Sequence, residues 1–234
     1  MVRDWRIKAG LALMIVSAAG YVAFMEVQAS DDSDEIISSS AVWTPGVDQL
    51  RTIDQACTAA RLRNSSECFA EKMVAHGAPE EAATFTRSYA ELNHGTIALL
   101  TFFHPLDAVD IGLAYFPNGK EAHHSWVLLN GTPGIIDVNN LEQLPESEMK
   151  SDPQYRSTAE AHPRAKLFFE DPQPGTSAEP AAEKLPDGGQ RFTASYLIRD
   201  GCNSCELLGH ADFSFLFNSS GDLKKIAFKS FHKS

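Results

Sequence analysis

Apolar positions along this chain follow two different periods. Between Val47 and Leu92 they recur every three or four residues: Val47, Leu50, Ile53 and Cys57, then Phe69 and Met73 with His76, then Ala82, Phe85, Tyr89 and Leu92. That is the period of helices with one buried stripe. Thr44-Pro45 supplies an N-cap and a first-turn proline, and the spacing carries this first helix to near Leu62. Ser65 or Ser66 opens the second helix, which stops at Gly77, and Pro79 opens the third, which stops at Asn93-His94-Gly95.

From Thr96 onward the period changes. Residues 97–103 and 111–116 are unbroken apolar runs of strand length, the second closed by Pro117-Asn118-Gly119. Residues 126–129 and 135–138 flank Asn130-Gly131-Thr132-Pro133, a hairpin signal because Asn and Gly both accept positive φ. Asp152-Pro153 opens a short helix through Ala161, and residues 166–169 read as a short strand. Residues 171–189 hold prolines 172, 174, 180 and 186 in an Ala/Glu/Gly background, which predicts a solvated loop inside one domain. Beyond it, Phe192, Ala194, Tyr196 and Ile198 alternate with polar neighbours, as do Ala211, Phe213, Phe215 and Phe217. Residues 223–231 form the last strand. Such alternation belongs to antiparallel sheets with one wet face, so the expected class is α+β, N-terminal helices packed on an antiparallel β-sheet.

Charge narrows the partners. Lys plus Arg number 20 against 31 for Asp plus Glu, a net charge of -11, and no basic-aromatic pattern is present, so nucleic acid is not an expected partner. A hydrophobic fraction of 43% excludes collagen-like and wholly disordered chains. At the N-terminus Arg3, Arg6 and Lys8 precede an apolar stretch over residues 9–25, and Val27-Gln28-Ala29 ends in the small residues a signal peptidase reads. Residues 1–29 are thus a signal peptide or, uncleaved, a membrane anchor. Residues 30–42 are an acidic, serine-rich tether, and residues 43–234 a single α+β domain. The expected compartment is periplasmic or secreted, with an inner-membrane anchor as the alternative.

Four cysteines in an exported chain predict two disulfides, with three connectivities open. Cys57 and Cys68 lie near the facing ends of the first two helices, where a bond clamps a helical hairpin. Cys202 and Cys205 form a C-x-x-C within Asp200-Gly201-Cys202-Asn203-Ser204-Cys205-Glu206. Three roles compete there: a structural staple, a metal site completed by His210 with His123 or His124, and a redox centre. A redox cysteine wants a helix N-terminus, whereas here a strand follows closely and Asp200 and Glu206 raise a thiol pKa. Haem attachment would need His at position 206, which is Glu. Asn203, Ser204, Glu206 and His210 are the candidate binding residues of a stapled tip. Its occupant would be a protein partner or a small ligand in the envelope.

Other candidate groups have plainer readings. His123-His124 at a strand start reads as a polar loop. His210, Asp212 and Ser214 share a strand face, but side chains about 7 Å apart along a strand do not form a hydrogen-bonded relay. His104 with Asp107 and Asp110 sits in a Pro-containing turn. No nucleophile elbow, zincin, P-loop, dinucleotide or EF-hand spacing occurs, so no catalytic residue, metal or cofactor is assigned.

Several stretches together resemble a group of exported bacterial proteins of unknown function: Cys57 with Cys68-Phe69, Gly77-Ala78-Pro79, Leu128 to Pro133 with Ile136-Asp137-Val138, Asp187 to Phe192, and Asp200-Gly201-Cys202 through Gly209. The likeness spans residues 43–231 and implies no activity. It departs at Tyr115-Phe116-Pro117-Asn118, where an aromatic-Pro-Phe-Arg stretch is expected. The order strand, cysteine loop, strand is also similar to periplasmic lysozyme inhibitors of the Ivy type, whose bridged loop enters the enzyme's cleft. The loop here is shorter and lacks their histidine between the cysteines.

Overall fold

A computed structural model describes residues 36–59, 65–117, 122–169, 171–172 and 179–234. Three helices come first, α1 (Val47–Ala59), α2 (Ser65–Ala75) and α3 (Glu80–Leu92). Strands β1 (Leu99–His104), β2 (Asp110–Phe116), β3 (His123–Leu129) and β4 (Ile135–Asp137) follow. Two short helices, α4 (Glu146–Ser151) and α5 (Pro153–Ala161), lead to β5 (Ala165–Phe168), β6 (Ala181–Lys184), β7 (Gln190–Asp200), β8 (Leu207–Phe217) and β9 (Leu223–Lys233). The class is α+β, as the alternation of periods predicts. The strands divide into two antiparallel sheets: one ordered β1-β2-β3-β4, the other β5-β7-β8-β9 with β6 also on β7.

The first sheet is the middle layer. On one side its Ile111, Leu128, Ile136 and Val138 share a core with Phe192, Tyr196, Phe213 and Phe215 of the second sheet. On the other, Ala114, Phe116, Val127 and Leu129 pack under Phe85 and Tyr89 of α3, and Leu99 packs under Ile53, Phe69 and Met73. A strand covered on both faces has no wet positions, which is why β2 is an unbroken apolar run. The second sheet has one core face, so β7 and β8 alternate. Phe192, Phe213 and Phe215 are each 0% exposed, worth about 1.5–3 kcal/mol apiece in burial.

Local structure departs from the sequence reading at named places. Helix α1 opens at Val47, because Gly46 accepts from Leu50 N–H and donates its own N–H to Gln49 Oε1, so Thr44 is not the cap. Whether that helix continues toward Leu62 lies outside the described residues. Residues 36–42, read from composition as tether, pack on the fold: Ile37 exchanges hydrogen bonds with the Asn130 side chain, and Ala41 is buried. Helix α4 went unread because only Met149 in it is buried and six residues show no period. Strand β6 lies inside the stretch read as loop; all four of its residues are exposed, so no alternation marks it. The Asn130-Gly131 hairpin exists, but as five residues between the pair Leu129–Ile135. Only Asn130 takes positive φ there, while Gly131 is required because a Cβ would sit 2.8 Å from the Gly221 carbonyl. Asp152 caps α5 as expected, its Oδ1 accepting from Gln154 and Tyr155 N–H at 2.9 Å.

Polar joints fasten the sheets together. Gln190, at the start of β7, accepts from Ala108 and Val109 N–H at 2.9 and 2.8 Å and donates Nε2–H to the Val109 carbonyl at 3.0 Å. Thr132 in the β3–β4 turn accepts from Leu223 N–H and donates to the Gly221 carbonyl. Tyr196 donates its hydroxyl to the Val138 carbonyl at 2.6 Å. At the outer edge of the second sheet, β9 departs from regular pairing at Lys224 and Lys229, and its Phe228 N–H donates to Glu148 Oε2. Cys57 and Cys68 are bonded across α1 and α2, with Cα atoms 5.7 Å apart. Among the described residues no helix is long and apolar enough to cross a membrane; the segment read as signal or anchor lies outside them.

Candidate functional site

Strands β7 and β8, eleven residues each, form a hairpin, and the C-x-x-C motif is its tip. Cys202 and Cys205 are bonded to each other, with Cα atoms 5.1 Å apart. Asp200 N–H donates to the Glu206 carbonyl and Cys205 N–H to the Cys202 carbonyl, so a backbone turn lies inside the covalent one. Gly201 takes φ of +88°, a conformation that favours glycine, with Arg164 packed beside it. Arg199 Nη1 donates to the Cys205 carbonyl, and Arg164 pairs with Asp200 at 3.0 Å. Cys202, Asn203, Ser204 and Glu206 are exposed. The tip is therefore a braced, outward-facing loop carrying an amide, a hydroxyl and a carboxylate.

His210 does not belong to that tip. It pairs in register with Leu197 and His232, further down the sheet. Of the set His210, Asp212 and Ser214, only Asp212 enters a polar cluster, and its partners come from β9. Ser230 Oγ donates to Asp212 Oδ2 at 3.2 Å, while His232 Nε2 lies 3.4 Å from Asp212 and 3.0 Å from Ser230. Ser214 instead donates to the Ala227 carbonyl. Sequence spacing missed Ser230 and His232 because the pairing of β8 with β9, not either strand alone, brings them together. The triangle is not a relay: a single imidazole nitrogen meets both partners, whereas a relay uses one nitrogen for each.

The remaining predicted groups separate. His104 Nδ1 contacts Glu179 at 2.9 Å, Asp107 pairs with Lys184, and buried Asp110 accepts from Leu106 N–H and Asn130 Nδ2–H. His123 and His124 lie in β3, which corrects their reading as loop. They point to opposite faces, His123 stacked on Phe116 and His124 against Tyr115, and burial lowers the His124 pKa against the pull of Asp171. With both sulfurs bonded, the C-x-x-C offers no thiolate to a metal. No group of three or more His, Cys, Asp or Glu is disposed to hold a metal ion among the described residues.

One buried cluster was not read from the sequence. Asp137 on β4 accepts from Ser125 Oγ, from Asn139 N–H at 2.9 Å and from the Tyr89 hydroxyl at 3.2 Å. Burial raises its pKa despite these donors, and burial beside Asp137 pushes the Tyr89 phenol far up. Ser125 and Tyr89 are 0% and 2% exposed, and Asp137 is half-buried. It fastens α3 to the first sheet.

A cleft marks an interruption in the second sheet. Strand β5 pairs with residues 197–200 of β7 and β6 with residues 190–193, so among the described residues Ala194, Ser195 and Tyr196 have no strand on that side. About 340 Å³ of space opens there, bounded by Trp126 and Asn139 from the first sheet, Tyr196 and Ser195 on β7, Asp212 and Glu179. No protein-family model, curated protein or solved structure matches this chain.

Proposed function

We propose that this chain is an exported cell-envelope protein that binds without catalysis, and that the β7–β8 tip is its recognition element. The observation that carries the reading is the tip itself: four exposed residues held by a disulfide, a backbone turn and an arginine-capped carbonyl. A loop ordered before it meets a partner loses less entropy on binding. Two bridges also suit an oxidising compartment such as the periplasm. The redox alternative for Cys202 and Cys205 finds less support, since the motif caps a hairpin, not a helix, and lies between the carboxylates of Asp200 and Glu206, which raise a thiol pKa.

The partner this favours is a basic glycan-cleaving enzyme of the lysozyme kind. A net charge of -11 accelerates encounter with a cationic protein, and the strand, bridged tip, strand order resembles that of Ivy-type inhibitors, with a shorter loop. The test is lysozyme turbidimetry with the purified domain, run beside titration of native thiols. Inhibition that falls at least tenfold in Asn203→Ala/Ser204→Ala supports the reading. Absence of inhibition removes the lysozyme partner, and a reactive thiol in the native protein moves the assignment to redox chemistry.

A further inference from the structure

We propose a second binding site, independent of the tip, in the cleft at the interrupted edge of β7, and that it takes a neutral saccharide ring. The charge of the lining excludes an anion: among the described residues it contains the carboxylates of Glu179 and Asp212 and no Lys or Arg. Each carboxylate has one oxygen engaged and one free among the described residues. Glu179 Oε1 meets His104, and Asp212 Oδ2 takes Ser230 and His232. These free oxygens accept hydrogen bonds.

Donors lie in the same lining. Asn139 Nδ2 is buried with no hydrogen-bond partner, so turning it toward a ligand breaks no existing bond and relieves an unmet donor. The Ser195 hydroxyl, on an exposed residue, supplies a group that both donates and accepts. A bare cation would satisfy the carboxylates and leave the amide unmet. A ligand that donates and accepts at closely spaced positions answers both, as ring hydroxyls do. Such rings also present an apolar C–H face, and the half-buried Trp126 indole provides a surface for it. That indole is held edge-on by Phe102, with centroids 6.1 Å apart, and the Tyr196 ring is fixed by its bond to Val138. The space, about 340 Å³, is at the small end of ligand pockets, roughly 300–1,000 Å³, as a mono- or disaccharide needs.

The experiment titrates the purified protein with N-acetylglucosamine oligomers and with maltotetraose, following tryptophan fluorescence and calorimetry, with spermidine as a cationic control. Saturable binding of a neutral oligosaccharide is expected, weakened about tenfold or more in Trp126→Ala and severalfold in Asn139→Ala. It should be abolished in Ser195→Trp, which fills the cleft from an exposed position without disturbing the core. Asn203→Ala/Ser204→Ala should bind as wild type does, so failure of the tip and failure of the cleft are read separately. Folding of each variant is checked by circular dichroism. No saturable binding of either oligosaccharide, affinity unchanged in Ser195→Trp, or saturation by spermidine alone would each overturn the assignment.

Discussion

Gln190→Ala isolates what one buried amide does for the joint between the sheets. Gln190 is 4% exposed, and all three of its hydrogen bonds go to the backbone of residues 108–109. Ala108 is half-exposed, so water can replace the partner of its N–H. Val109 is 0% exposed, and its N–H and C=O would both be left unpaired. An unsatisfied buried group costs about 1–3 kcal/mol, so the truncation should cost roughly 2–6 kcal/mol, a large share of a domain's stability. Gln190→Glu refines the test. Its carboxylate still accepts the two N–H groups, but an ionised oxygen then faces the Val109 carbonyl, and only the protonated acid can donate there. The folded-state pKa of the introduced carboxyl is therefore raised above its unfolded value near 4.3, and stability is lost as pH climbs through that range. Urea unfolding, compared with wild type at pH 4 and pH 7, reads both effects. A Gln190→Ala cost below about 1 kcal/mol, or a Gln190→Glu deficit no larger at pH 7 than at pH 4, would refute the reasoning.

Four further outcomes follow from the geometry. Closing loops of 11 and 3 residues implies that Cys57→Ala/Cys68→Ala lowers stability by about 3 kcal/mol and Cys202→Ala/Cys205→Ala by about half that, measured by urea unfolding. Graded reduction with alkylation and mass spectrometry should label exposed Cys202 before Cys57 and Cys68, which are 7% and 6% exposed. Asp137 has a raised pKa, chiefly from burial, so its penalty grows as pH rises through the folded value; Asp137→Asn should gain on wild type between acid and neutral pH in the same unfolding assay. Gly209→Ala would put a Cβ 2.4 Å from the His232 carbonyl, costing about 1–3 kcal/mol, with amide exchange accelerating in residues 230–233 ahead of the rest.

Much of the fold was legible because each regime of burial writes its own period. The helical stripe of Ile53, Phe69, Met73 and Phe85 and the alternation of Phe192 to Ile198 each come from a single buried face. The unbroken run in β2 was legible as a strand, but its reason, burial under helices on one side and a sheet on the other, is a property of layering that no local window contains. Strand β6 and helix α4 bury too little to leave a pattern. The bridges could be read from the number and spacing of the cysteines. The Gln190 clamp, the Ser230–His232–Asp212 triangle and the cleft could not: the triangle depends on the register of β8 with β9, the other two on how the two sheets meet, and Gln190 in Asp187-Gly188-Gly189-Gln190 looks from sequence like part of a turn.

Strand β9 is eleven residues long and among the described residues has no strand beyond it, which in an antiparallel sheet is an invitation to a second molecule. Its two bulged positions, Lys224 and Lys229, are exposed cations, and each bulge breaks the straight ladder that another copy would have to match. Glu148 takes up the backbone donor of Phe228 between them. The protein thus guards its outermost strand against fibril growth by charge, irregular spacing and a borrowed carboxylate.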